Sequence, residues 1–358
     1  MEVLSMFNKE SMTQKSGDSS SNYQAETINI QQGVGCKEVI AIFDNLMPRH
    51  LEKLTGIALE EARHLFEQFK TELLEELDQR YFPKFQLPAV QFSLFEAQRE
   101  YTKCGDPETQ EQILSFFINR IKSDEHSLKQ ITYDDAIATI PRLPEGFIDL
   151  LSLFAIQSLS LPFRGDTVPD FFSDAQKIFS TFSLPKINPR VVVTHLVSCG
   201  CAISMGSAFT VEHRWGRVLS NTSSGIFSKG FTRLDAMQVL GGKTHLDNRL
   251  FCPYWQESSK FQFSVMNDAT LKEVLSDLGA SELYPSASKL LKETTMSPAE
   301  IEKLLKEKSP SAESPLKALE APFYQNLNLT VKGLVIGLHN YINKTSGDVD
   351  FDSVFEEK

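Results

Sequence analysis

Several groups of residues have types and spacings that could carry chemistry. His195, Cys199 and Cys201 stand close together, and His213, His245 or Cys252 could complete a zinc set with them. Structural zinc sites usually pair cysteines two to four residues apart. Gly200 alone separates this pair, and no second pair follows. Buried thiols at a helix end are therefore expected, and no metal. The run "GGKT" at Gly241–Thr244 has the ending of a phosphate-binding loop. The full pattern needs a glycine five positions before Gly242; Met237 stands there, and "HLDNRLFCP" after it has no helical stripe. Asp134 and Asp135 could bind a cation or exchange a proton, but a solvated helix start is the plainer expectation. Neither G-x-S-x-G nor G-x-G-x-x-G occurs. A cysteine–histidine nucleophile pair, or His245 with Asp247 as ligands, has no flanking sequence in support. No catalytic residue, cofactor or metal ligand is assigned.

A basic surface could bind nucleic acid. The net charge of -11 and pI near 5.2 argue against a general binder of phosphate backbones. One local set remains. The helix "NPRVVVTHLVSCG" reaches a glycine and is followed by "CAISMG" and "SAFTVEHRWGRVL", which is the layout of a winged-helix unit. Its two-stranded wing would carry His213, Arg214 and Arg217, a thin basic set for DNA. A structural winged-helix-like module is expected over a DNA-reading one. The same region, Val191–Val211, lacks Asp, Glu, Lys and Arg. Its His, Gly, Ser and Thr content predicts a buried helix and strand rather than a membrane span.

Ahead of these elements lies the polar run "KSGDSSSNYQAETINIQQGVG". "SGDSSSN" is turn-like, and "YQAETINIQQ" alternates with a strand period while offering too little apolar surface for a core. Asn22, Gln24, Ile28, Asn29, Ile30 and Gln31 suit pairing with a second copy, because rows of Asn and Gln hydrogen-bond between identical strands. A disordered linker is the other reading. The first residues lack a basic start followed by an apolar run, so no signal peptide is expected. Five cysteines, an odd number without a disulfide-scaffold spacing, predict reduced thiols in the cytoplasm.

The expected fold class is α-rich α+β: an N-terminal polar β-strand segment, a helical bundle, a winged-helix-like α/β middle and a buried C-terminal helix. The expected units are a flexible N-terminus with the self-pairing strand over 1–35, a helical bundle over 36–185, the winged-helix-like unit over 186–285, and C-terminal helices over 286–358 packing back on the core. Stripes such as Phe66, Phe69, Leu73 and Leu77, or Ile113, Leu114, Phe117 and Ile121, predict amphipathic helices. Pro48 predicts a helix start or kink. Asp106 is a candidate N-cap, and Ser297 with Glu300 a capping box. The final helix is expected over 327–343, apolar on most sides, with Gly333 and Gly337 allowing close approach. The 26 Phe should lie in cores or interfaces.

The segments "SGDSSSNYQAETINI", "QILSFFINRIKSDEHSLKQITYDDAIATIPRLPEGFIDLLSLFAI" and "GLVIGLHNYINKTSGDVDFDSVF" resemble an uncharacterised bacterial family of cytoplasmic proteins. That family is more distantly similar to helical abortive-infection proteins, and the opening strand is similar to those on phage-defence components. The resemblance implies a self-assembling defence or stress-response protein, and it implies no catalytic residue. The expected function is a non-enzymatic, homo-oligomeric phage-defence sensor or effector, with a phage protein among its partners. A winged-helix DNA-binding regulator is an alternative, as are a membrane-permeabilising effector and an unrecognised enzyme.

Overall fold

Capping and apolar spacing set the first half of the chain. In the computed structural model, residues 35–355 are described apart from 53, 145, 161–162, 164–166, 206–210, 244, 246, 346–348 and 350–353. The proposed self-pairing residues Asn22 to Gln31 lie outside the described residues. Helices α1 (Cys36–Leu51) and α2 (Ile57–Glu76) form an antiparallel pair. Pro48 neither starts nor ends a helix: α1 runs through it, and the break falls after Leu51. Helices α3 (Pro88–Lys103), α4 (Pro107–Lys122), α5 (Leu128–Thr139) and α6 (Phe147–Ser158) follow. Asp106 caps α4 by accepting from the Thr109 N–H, and Ser127 caps α5 by accepting from that of Gln130.

Beyond them come α7 (Val168–Thr181), α8 (Pro189–Ser198), β1 (Ala202–Ser204) and α9 (Arg214–Thr222). Asn188 caps α8, and Gly200 leaves it at a φ of 70°. The winged-helix layout departs from the structure here. Residues 214–222 are helical, and β1 pairs antiparallel with a strand from the far end of the chain, Ala202 opposite Leu329 and Ser204 opposite Leu327. Among the described residues, β1 has this remote strand as its partner in a two-stranded sheet, and no local hairpin is seen. The strand is not buried as expected either: Ala202 is, but Ile203 and Ser204 are exposed.

A third group holds α10 (Arg233–Leu240), the short α11 (Asp247–Leu250), β2 (Phe251–Pro253), β3 (Phe261–Phe263), α12 (Asp268–Asp277) and α13 (Tyr284–Thr294). Asn267 caps α12 by accepting from the Thr270 N–H. The chain closes with α14 (Pro298–Lys308), α15 (Glu313–Leu319), the short α16 (Pro322–Gln325), β4 (Leu327–Leu329) and α17 (Val331–Thr345). Ser297 and Glu300 make the expected capping box. The final helix starts four residues later than expected, because Leu327–Leu329 pair with β1.

Four cores result, the smallest built from Leu51, Ala62 and Phe66. Phe43, Phe69, Phe85 and Phe117 close a ring of contacts in the first, with centroids 6.1–6.3 Å apart. Phe163 stacks on Trp215 in the second, and Phe231, Phe251 and Phe263 fill the third. Helices α6 and α17 run between the first two. Leu150, Leu151, Val335 and Ile336 face the first core; Leu153, Ile156, Leu338 and Tyr341 face the second. Both glycines of α17 act as expected. A Cβ on Gly337 would lie 2.3 Å from the Leu151 carbonyl oxygen of α6, and one on Gly333 would lie 1.9 Å from that of Cys201. Among the described residues, no helix is long and apolar enough to cross a membrane.

Candidate functional site

The residues considered for nucleic acid are drawn into the protein's own bonding. Arg214 donates to the carbonyl oxygens of Leu327 and Gln325, each at 2.8 Å, and so ties α9 to β4. Burial lowers its pKa. Arg217 Nε donates to the Glu212 carbonyl at 2.9 Å. His213 sits before α9 with a left-handed φ of 51°, and its Nδ1 lies 2.8 Å from Glu302 Oε2. The other oxygen of this buried carboxylate accepts from the Gly216 N–H at 3.2 Å. His213, Arg214, Trp215, Glu302 and Tyr324 line a pocket of about 20 Å³. That is room for about one water. Trp215 Nε1 and Arg214 Nε are both buried without a hydrogen-bond acceptor. Burial pushes the Tyr324 phenol up to about 12, so it stays protonated at neutral pH.

His195 and Cys199 do meet, with Nε2 3.5 Å from Sγ. The same Nε2 lies 2.8 Å from the Arg142 carbonyl oxygen. A carbonyl only accepts, so Nε2 carries the proton and cannot take one from the thiol. Burial pushes the Cys201 thiol up to about 12, which makes it inert as a nucleophile. Cys252 lies apart on β2. Among the described residues, no three His, Cys, Asp or Glu side chains form a metal-holding group. Gly241 and Gly242 both have positive φ and end α10, while Lys243 pairs with Glu282. Asp134 accepts from Ser93 Oγ at 2.6 Å and from Arg120 Nε at 3.2 Å, while Asp135 is exposed. Asp134 thus balances the wholly buried Arg120 side chain.

Two features were missed in the sequence. The first is a polar row between α4, α6 and α17. Asn340 Nδ2 donates to Asp149 Oδ1 at 2.9 Å and to Ser152 Oγ at 2.8 Å. Gln112 Nε2 donates to Asn340 Oδ1 at 3.1 Å. Lys344 bridges Asp149 and Glu108, 2.8 Å from each. Burial works against its charge, but the bonds and charges of the two carboxylates outweigh it and raise its pKa. Of these residues, Glu108, Gln112, Asp149 and Lys344 line a groove of about 590 Å³. Asn340 and Gln112 could have been found only as polar residues interrupting apolar stripes.

The second feature is an uncovered apolar row. Phe92 on α3 is 77% exposed, and Leu128 and Ile131 on α5 are 60% and 53% exposed. Leu87 and Ala89 are also exposed. The Ser93–Asp134 bond joins α3 to α5; Phe92 precedes Ser93 on α3, and Ile131 stands three residues before Asp134 on α5.

The sequence model of an uncharacterised protein family matches residues 33–355. The chain belongs to that family. The family match spans all four of these cores and both missed features, from α1 to the end of α17. No curated protein matches the chain. No solved structure matches it either.

Proposed function

We propose that this protein is a homo-oligomeric, helix-built interaction protein without catalysis of its own. The observation that carries the reading is the row Leu87, Ala89, Phe92, Leu128 and Ile131, apolar side chains left in water on two packed helices. Exposed apolar patches of this kind mark interaction surfaces. The occupant is a second copy of this chain. Lys129 stands at one end of the α5 part of the row and Asp135 at the other. A two-fold contact that sets two α5 helices antiparallel places each lysine opposite its partner's aspartate. Asn22, Gln24, Ile28, Asn29, Ile30 and Gln31 supply a further self-pairing segment. The similarity of the opening strand and helices to phage-defence proteins supports a defence sensor or effector as the setting, with a phage protein as trigger.

Sedimentation mass tests the assembly. The full-length chain should be a defined oligomer. The Phe92→Glu/Ile131→Glu variant should be smaller with its far-ultraviolet circular dichroism unchanged, and removal of residues 1–34 should reduce the mass further. A monomeric full-length chain at micromolar concentration would refute the reading. The setting is tested by plating phage on bacteria with and without the protein; equal plaque counts across a diverse phage panel count against it.

A further inference from the structure

The close approach of α9 to α14 fixes one histidine. A Cβ on Gly216 would lie 2.0 Å from the Pro298 carbonyl oxygen, so only glycine fits there. That approach brings His213, just ahead of α9, to Glu302 on α14. Glu302 Oε1 accepts from the Gly216 N–H, and Oε2 lies 2.8 Å from His213 Nδ1. A carboxylate only accepts, so Nδ1 carries the proton of the neutral ring and the free lone pair is on Nε2.

The two side chains differ in exposure, 6% for Glu302 and 40% for His213. Among the described residues His213 Nε2 has no hydrogen-bond partner. It is not one of the buried unpartnered atoms, so it meets water. A ring oriented through Nδ1 by a buried carboxylate, with Nε2 open, is arranged as a nucleophile. The neighbouring charge narrows the electrophile. Arg217 Nε donates to the Glu212 carbonyl, which holds its guanidinium beside the backbone next to His213. Arg217 is exposed, and no carboxylate pairs with it among the described residues. Glu320, in the lining that His213 shares, is taken by Lys306. An unpaired guanidinium suits phosphoryl oxygens.

We propose that His213 Nε2 accepts a phosphoryl group from a small acyl phosphate. The Nε2 lone pair forms the N–P bond, the P–O bond to the acyl group breaks, and the carboxylate leaves with the bonding pair. The ring becomes cationic and keeps its proton on Nδ1, where Glu302 balances the charge. The chain receives the group and turns over no substrate. The site goes beyond the proposed self-association and does not depend on it.

The test is incubation of the full-length chain with acetyl phosphate at neutral pH, followed by intact mass and peptide mapping. One phosphoryl group should be taken up, at His213, ahead of the exposed His64. It should survive alkali and be lost in acid, as a phosphohistidine is. His213→Asn, which suits the left-handed backbone, should abolish the uptake. In Glu302→Gln the Gly216 N–H claims the amide oxygen, so the amide N–H faces Nδ1 and the ring proton moves to Nε2; uptake should slow about a hundredfold. Because Glu302 is buried, Arg217→Gln on the surface serves as a further variant and should slow uptake severalfold. No uptake, or label spread evenly over the exposed histidines, would overturn the proposal. So would a folded His213→Asn chain that is labelled like the parent, or folded Glu302→Gln and Arg217→Gln chains labelled at the parent rate.

Discussion

The helix pairs α6–α17, the more apolar of the two, and α3–α5 end in opposite situations. Helix α17 approaches α6 so closely that Gly337 leaves no room for a Cβ against the Leu151 carbonyl. Cores cover the pair on both sides. Helices α3 and α5 bury one face each, joined by Ser93 and Asp134, and leave Phe92, Leu128 and Ile131 in water. The difference lies in what surrounds each pair. An apolar stripe states what a helix face prefers; only the neighbouring elements decide whether that preference is met within one chain.

The largest test of the comparison is Gly337→Val. A side chain there must displace the α6 backbone, and the loss of stability should be about 3 kcal/mol or more, seen as a large drop in thermal midpoint. A change that leaves the midpoint within a degree or two would mean that the helices are not in close contact.

Acid should strike the same pair. His339 on α17 lies 2.6 Å from Ser115 Oγ, and burial lowers its pKa to about 4. The unfolded chain takes up this proton near pH 6.5 and the folded chain only near pH 4, so stability falls as pH drops through that window. The loss from this group is roughly 3 kcal/mol. Chemical unfolding at pH 7 and pH 4.5 measures it, and His339→Gln should flatten the difference.

On the α3–α5 side, Asp134→Ala leaves the Arg120 guanidinium with Glu125 Oε1 at 3.9 Å as its remaining carboxylate. Because Asp134 is partly exposed, the cost should be about 2 kcal/mol, below that of breaking a fully buried pair. Asp134→Asn should recover part of it by keeping the bond to Arg120 Nε. The smallest stability effect belongs to Phe92→Glu. An exposed side chain contributes within about 0.5 kcal/mol to the monomer, so urea unfolding of the dilute protein should be nearly unchanged while association is lost.

Much of this contrast was legible in part. The caps at Asp106, Asn188 and Ser297 and the stripes of α2 and α4 follow from short-range rules, and the structure follows them. Gly333 and Gly337 were legible because glycine spacing on an apolar helix has one common use. Elements that depend on distant partners were not legible. The strand at Leu327–Leu329 reads as the first turn of the last helix until β1 is brought beside it. Residues 214–222 read as a wing because two short apolar segments follow a helix that stops at Gly200, while the carbonyls of Gln325 and Leu327 that hold Arg214 lie more than a hundred residues away. Gln112 and Asn340 read as ordinary polar helix positions, since their meaning lies in a hydrogen-bond row between segments far apart in sequence. Phe92 and Ile131 show apolar character without showing which side of the bundle they occupy.

The most direct test of the account is a cross-link across the proposed two-fold contact. Ile131→Cys is introduced together with Cys36→Ser, which removes the exposed native thiol, and the protein is oxidised at micromolar concentration. The account predicts a disulfide-linked dimer that disappears on reduction and is absent when Ile131 is retained. A chain that stays monomeric on non-reducing gels, at a concentration where the parent sediments as an oligomer, would contradict the α3–α5 face as the surface that joins two copies.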